Sequence, residues 1–159
     1  MLDSIYLRAL EADDYLKTYE WRNDPVYRRG VGAHYRYVNK EIERKWIESV
    51  IDKHAKGEEV RLAIIKSGTD EFIGMVSLID IDFQNRNAQF QWMIGPSTKR
   101  GHGYALFAGI KIADYAFREL GLVRVWGAVL EDNRNVMRFA DRFEDTIKKE
   151  GVLRNAIFK

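Results

Sequence analysis

The stretch NAQFQWMIGPSTKRGHGYAL, residues 87–106, contains a strand, a glycine-bearing loop and the start of a helix in direct succession. From Asn87 to Ile94 the side chains alternate, as they do when one face of a sheet covers a core. A helical pattern begins at about Tyr104 and continues to Leu120, just before Gly121. One face of the strand carries Ala88, Phe90, Trp92 and Ile94, and the other carries Gln89, Gln91 and Met93.

The remaining elements alternate along the chain and predict one α/β domain over residues 1–159, built on a mixed sheet. Strands at 60–66, 72–81 and 87–94 are separated by turn residues and form an antiparallel meander. A strand at 123–130 follows the long helix and pairs in parallel. The other predicted elements are strands at 4–9 and 152–158 and helices at 12–21, 40–53 and 135–143. The predicted apolar stripes are Ile42, Trp46, Val50 and Ile51 in the 40–53 helix, and Leu106, Ile110, Ala113 and Phe117 in the long helix.

The composition excludes several classes of protein. The chain has 159 residues and no cysteine, which rules out disulfides, thiolate metal sites and a cysteine nucleophile. No apolar run approaches the roughly 18 residues of a membrane span, and the first residues lack a signal-peptide pattern. Lys and Arg number 26 against 24 Asp and Glu, and they are interspersed rather than clustered on one face. We therefore expect a cytoplasmic protein with no metal, no membrane partner and no nucleic-acid partner.

The loop residues 100–105 form a candidate anion site. Glycines allow the main chain to approach a ligand closely, and the first N–H groups of a helix have no partner within it. The helix dipole and the adjacent Lys99 and Arg100 favour a diphosphate. A glycine-bearing helix start with solvated basic residues is the alternative. The loop is not a Walker P-loop, because no Gly-Lys-Ser/Thr follows, and it lacks the third glycine of a Rossmann fingerprint.

The pattern Arg100-x-x-Gly103-x-Ala105 resembles the acetyl-CoA signature Gln/Arg-x-x-Gly-x-Gly/Ala of the GNAT N-acetyltransferase superfamily. Other segments, in the same order along the chain, resemble the branch that contains ribosomal-protein-alanine and spermidine N-acetyltransferases. These segments are 7–10, 20–25, 72–78, 80–82, 115–117, Asn133 and 149–154. The resemblance implies a GNAT fold, in which a twisted mixed sheet carries helices on both faces.

The same resemblance implies acetyl-CoA as cosubstrate. Trp92, Met93 and Ile94 would pair with the pantetheine arm through the strand edge, and a backbone N–H there would stabilise the oxyanion. Asn133 would hydrogen-bond the pantetheine. Trp92 has ordinary sheet packing as its alternative role. The alternative for His102 is that it is a solvated loop residue. The diphosphate would lie against Lys99, Arg100, Gly101, His102, Gly103, Tyr104 and Ala105.

The chain departs from the pattern of the branch where catalysis is concerned. Gln89 stands where a Glu is often found, and Phe139 or Ala140 stands where the usual Tyr acid is expected. Asp80, Asp82, Glu131 and Tyr104 are the candidates that could replace them, and a structural or solvated role is the alternative for each. The sequence ends at Lys159, early in the last recognisable strand, so we expect the final strand of the branch to be missing or supplied by a partner.

The sequence contains weaker signals for the acceptor substrate than for the cosubstrate. The stretch Tyr27–Tyr37 is predicted to be a basic, aromatic loop without carboxylates, which fits an acidic acceptor better than a polyamine. A surface loop with locally packed tyrosines is the alternative. The weak candidates for acceptor contact are Trp21, Tyr35, Arg36 and Gln89.

The sequence thus predicts acetyl transfer to a primary amine, namely a peptide N-terminus, a polyamine or an amino sugar. Without cysteine, direct attack in a ternary complex is the remaining route. A catalytically weakened module that binds acetyl-CoA is the competing hypothesis, and an RNA-binding α/β domain is a third. A homodimer is possible, because an incomplete sheet leaves an exposed edge.

Overall fold

The computed structural model describes residues 4–31, 36–95, 102–129, 133, 134 and 137. The chain divides into two compact units, residues Met1–Trp21 with Val38–Gly127, and residues Arg22–Tyr37 with Ala128–Lys159. The first unit contains the sheet and all the candidate cofactor-binding residues except Asn133, which belongs to the second unit. The single domain over 1–159 stays a prediction.

Five strands and four α-helices occur in the described part of the chain. In order they are β1 (Ile5–Ala9), a 3-10 turn (Ala12–Asp14), α1 (Tyr15–Asn23), α2 (Pro25–Val31), α3 (Lys40–Ala55), β2 (Val60–Lys66), β3 (Glu71–Asp82), β4 (Asn87–Ile94), α4 (Tyr104–Arg118) and β5 (Arg124–Trp126). None of these helices has the length and apolar run that a membrane span requires.

The predicted mixed sheet is confirmed. Its strands lie in the order β1-β2-β3-β4-β5, antiparallel from β1 to β4 and parallel between β4 and β5. The meander forms because runs rich in Ile, Val and Phe are joined by short turns whose residues accept positive φ, such as Gly68 at +81° and Asp70 at +51°.

Helices pack on both faces of the sheet, as the resemblance implied. Val60 and Ile64 of β2 belong to the buried cluster that contains Ile112 of α4. Arg61 lies between them in sequence and therefore points to the opposite face. There its guanidinium carbon is 5.4 Å from the ring centroid of Trp46 in α3.

The helix faces that cover the sheet differ from the predicted stripes. In α4 the fully buried residues are Ala108, Ile112 and Ala116, whereas Ile110 and Phe117 are 45% and 47% exposed. The helix carries apolar residues on more than one face, so periodicity alone could not select the buried one. Small alanines allow close approach to the sheet. In α3 the buried residues are Glu43, Ile47 and Val50, and Ile42 is 53% exposed.

The segment after the first helix is also different from the prediction. Pro25 ends α1 at Asn23, as expected from its effect on the preceding residue. However, Pro25 then begins α2, which replaces the first part of the predicted loop. Asp24 caps this helix, because its Oδ1 accepts the backbone N–H of Val26 at 2.7 Å.

The late elements are only partly covered by the described residues. β5 is shorter than predicted, ending at Trp126 rather than Leu130. One helical hydrogen bond, from the N–H of Met137 to the carbonyl of Asn133 at 3.0 Å, falls near the predicted 135–143 helix. Residues 138–159 lie outside the described part, and with them the predicted strand at 152–158.

A Gly109→Ala variant is expected to be more stable than the wild type by about 0.5–1 kcal/mol, because glycine inside a helix loses more backbone entropy than alanine. The added Cβ would lie 3.6 Å from Cζ of Phe90, an ordinary contact distance. Urea denaturation followed by circular dichroism measures the change. A loss of stability would show that α4 sits closer to the sheet at this point.

Candidate active site

The parallel ladder between β4 and β5 ends early. Its pairs are Asn87 with Arg124, Ala88 with Val125 and Gln89 with Trp126. The indole N–H of Trp126 donates to Oδ1 of Asn87 at 3.3 Å and holds the ladder at its start. β4 continues to Ile94, paired with β3 on its other side. Within the described residues, the two parallel strands therefore form a ladder only up to Gln89.

The predicted pantetheine edge lies in the part of β4 beyond that ladder. The rings of Phe90 and Trp92 are 4.6 Å apart at a tilt of 58°, and both side chains pack against the α4-side core. Ile94 packs against the same core, and Met93 is buried. Because these side chains are used in packing, a ligand at this edge would be recognised by the main chain.

The end of β4 is set by close contacts with two glycines. A Cβ on Gly74 of β3 would overlap the carbonyl oxygen of Met93 and would lie 3.2 Å from Cα of Ile94. The N–H of Gly95 donates to the carbonyl of Ile73 at 2.9 Å. The predicted site includes neither glycine, although a glycine inside a strand, such as Gly74, is a known signal of close backbone approach.

The start of α4 lies where it was predicted, at Tyr104, and the anion site there stays a prediction. Gly103 is the N-cap residue, with φ +79°, and no side chain caps the helix. Its carbonyl accepts the N–H of Phe107 at 3.0 Å, so the helix is regular from its first turn. The N–H groups of that turn have no partner within the helix, and no cap side chain covers them. The residues present therefore fit a diphosphate group.

The other loop residues are only partly described. His102 is exposed, and its ring lies 5.6 Å from that of Tyr104 at a tilt of 31°. Ala105 is half-buried in the first turn of α4. Lys99, Arg100 and Gly101 lie outside the described residues.

Four candidate catalytic positions lie among the described residues, namely Gln89, Asp80, Asp82 and Tyr104, whereas Glu131 lies outside them. Asp80 is exposed with φ +50°, and Tyr104 packs against the α4-side core. Gln89 is half-buried at the end of the β4–β5 ladder, on the sheet face opposite α4, and its amide cannot act as a base. The pKa of Asp82 is lowered because its carboxylate accepts the backbone N–H of Asn85 at 2.8 Å and the side-chain amide at 2.7 Å. Asp82 thus caps the β3–β4 turn. Phe139 and Ala140 lie outside the described residues.

Trp21 is buried in the first unit. This side chain is 5% exposed and packs against Phe72, with ring centroids 4.8 Å apart. Burial stabilises its large apolar ring, and its role in acceptor contact stays a prediction.

The remaining predicted contacts fall in the second unit or outside the described residues. Arg36 is exposed, and Asn133 is half-buried and begins a helical turn. Tyr35 is not among the described residues. In the part of the chain that is described, no group of three or more His, Asp or Glu side chains is placed to hold a metal ion.

A mixed sheet with helices on both faces defines this protein as an α/β protein, and its glycine-capped helix lies in sequence between the two strands of a short parallel ladder. The family model described as the acetyltransferase (GNAT) domain matches residues 4–144, and the chain belongs to this family. The prediction made from Arg100, Gly103 and Ala105 is confirmed at the level of the family.

Curated relatives agree with this assignment. The uncharacterized N-acetyltransferase p20 of Bacillus licheniformis is 27% identical over 153 residues, which cover 96% of this chain and 84% of that protein. The spermidine N(1)-acetyltransferase of Escherichia coli K12 is 26% identical over 164 residues, covering 97% and 83%. Together with the family domain, these relatives identify the chain as an N-acetyltransferase.

A solved structure supports the fold in detail. The spermidine N-acetyltransferase from Vibrio cholerae, in complex with CoA and spermine, superimposes with a TM-score of 0.74 at 25% sequence identity. The match covers 87% of this chain and 79% of that one. An acetyltransferase from Bacillus anthracis, 18% identical, has the same fold with a TM-score of 0.77.

Proposed function

We propose that this protein transfers an acetyl group from acetyl-CoA to a primary amine by direct attack in a ternary complex. The observation that carries the proposal is the Gly103-capped start of α4, which is the next helix after β4, a strand that extends beyond the described parallel ladder ending at Gln89. CoA bound to the Vibrio cholerae relative supports the choice of cosubstrate.

Acetyl-CoA would supply the activated acyl group as a thioester. The main-chain N–H groups at the start of α4, from Gly103 to Ala105, would bind the diphosphate, with Lys99, Arg100, Gly101 and His102 beside them. The main chain of residues 92–94 would orient the pantetheine arm, and Asn133 would hydrogen-bond it. The protein's contribution is thus mainly to bind and align the two reactants.

Direct transfer follows from what the chain can offer. No cysteine is present, so an acyl-cysteine intermediate cannot form. Holding the amine beside the thioester can itself lower the barrier by about 7–11 kcal/mol in ideal cases. Because Gln89 is neutral, the proton of the amine must leave through water or through another group.

A Gln89→Glu variant is expected to raise kcat/KM by about tenfold or more, because a positioned general base contributes roughly 10²–10⁴ in rate. The gain should grow as pH rises through the carboxyl pKa, since only the ionised form accepts the proton. Gln91→Glu is the matched control, because the same charge is placed two residues along the same face of β4. Equal gains in both variants, or none in Gln89→Glu, would contradict a base at this position.

A second candidate function is a catalytically weakened module that binds acetyl-CoA. Gln89 favours it, because a neutral amide replaces a carboxylate that is common in the branch.

The acceptor of the proposed transferase would be a polyamine, as in the spermidine acetyltransferase relatives, or else a peptide N-terminus or an amino sugar. A cytoplasmic location, a possible homodimer and the absence of nucleic-acid, membrane and metal partners stay predictions.

Calorimetry with acetyl-CoA, combined with thiol release over a panel of amines, tests both functions. The panel contains spermidine, spermine, glucosamine phosphates and peptides with acidic or neutral N-terminal residues. Binding with release on one class supports the transferase and identifies its acceptor. Binding without release on every amine supports the binding module, and no binding overturns both.

A further inference from the structure

Trp21 contacts the main chain at the point where β4 ends. A Cβ on Gly95 would lie only 2.6 Å from Cδ2 and 2.7 Å from Cζ2 of the indole, so the ring lies directly against the glycine backbone. On its other side Gly95 is held by the hydrogen bond from its N–H to the carbonyl of Ile73. Gly95 is therefore confined between the sheet and a buried ring.

Further packing contacts fix the position of the Trp21 indole. Phe72 packs on it with ring centroids 4.8 Å apart, and the guanidinium carbon of Arg8 lies 5.6 Å from the centroid of Phe72. Arg8 is held in turn by two hydrogen bonds of 2.8 Å to the carboxylate of Asp14, which is itself buried. Bidentate pairs of this kind restrict both partners. The contacts form a continuous stack from β1 to Gly95.

We propose that Trp21 is a positioning residue for acetyl-CoA, which it does not need to touch. By packing on Gly95 it sets the main chain of Met93 and Ile94 at the end of β4. This inference rests on the proposed function, because the main chain of Met93 and Ile94 is assigned there to the pantetheine arm. A displacement of about 1 Å at a site that aligns reactants can lower the reaction rate by about 10²-fold.

A cycle of complementary variants tests the proposal. Gly95→Ala places a methyl group against the indole, and Trp21→Phe removes the ring atoms nearest to it. Each single variant is expected to weaken the calorimetric Kd for acetyl-CoA by about tenfold, because the end of β4 shifts by a fraction of an ångström. In the double variant the methyl group occupies the space left by the smaller ring, so the Kd should return to within about threefold of the wild type.

Ile47→Val is the control for general loss of stability. Ile47 is fully buried on α3, and its substitution should lower the midpoint of urea unfolding without changing the Kd. A second readout is the KM for the amine in the transfer assay, which should change less than the KM for acetyl-CoA if the effect is on cofactor alignment.

The outcomes separate this inference from the function on which it rests. If the wild type does not bind acetyl-CoA, the proposed function is wrong. If the wild type binds and both single variants keep its Kd, Trp21 has only a packing role and the inference is overturned. If Gly95→Ala does not fold, Trp21→Phe alone decides: a weakened Kd supports the inference and an unchanged Kd refutes it.

Discussion

A Gly103→Val variant is expected to bind acetyl-CoA at least about 100-fold more weakly than the wild type, because three effects combine. The residue has φ +79°, a conformation that a β-branched side chain adopts only at considerable cost. An added Cβ would already lie 3.4 Å from the ring of Phe107. The larger side chain would also cover the N–H groups of the first turn, where the diphosphate is proposed to lie.

Calorimetry with acetyl-CoA and with CoA measures this effect. Gly57→Val is the matched control, since Gly57 has φ +72° and no heavy atom within 4 Å of its Cβ position. It should show a comparable loss of stability and an unchanged Kd. If Gly103→Val keeps the wild-type Kd, the diphosphate binds elsewhere and the placement at α4 is wrong.

A Gly74→Ala variant is expected to lose about 3 kcal/mol of stability, because overpacking a tightly packed site costs about 1–3 kcal/mol and more where backbone must move. The new methyl group would overlap the carbonyl oxygen of Met93 and contact Ile94, so β3 and β4 would have to separate. Two central strands of the sheet cannot separate without weakening their ladder.

Urea denaturation measures this loss of stability. The Gly109→Ala variant is the control, because the added methyl group at Gly109 meets only an ordinary van der Waals contact and should be stabilising. We further expect Gly74→Ala to weaken acetyl-CoA binding, since the same displacement moves the main chain of Met93. A stability within about 0.5 kcal/mol of the wild type, the usual range for surface changes, would show that β4 can relax.

The three strands of the meander could be predicted closely from the sequence. β2 and β4 have the predicted bounds, and β3 is only one residue longer at each end. These segments are rich in β-branched and aromatic residues, and they are bounded by turn residues that cannot continue a strand. Local chemistry is sufficient there, because each strand and its turn are specified within about ten residues.

The faces of the helices could not be predicted in the same way. Ile110 and Phe117 are as apolar as Ile112, and only the shape of the sheet makes Ala108, Ile112 and Ala116 the buried set. In α3 the buried face is offset from the predicted one, with Glu43 and Ile47 in place of Ile42. Such choices depend on residues that are distant in the sequence, so a local periodicity contains no information about them.

The sequence by itself determined the three strands of the meander, the family and the glycine at the start of α4. The tertiary structure alone decided that the parallel ladder ends at Gln89 within the described residues, and that Trp21 is a buried residue packed on Gly95. The physical reason is the distance along the chain over which each kind of interaction acts. Turn and strand preferences act between neighbours along the chain, whereas packing joins Trp21 to Gly95 and Gly74 to Met93 only after the sheet has formed.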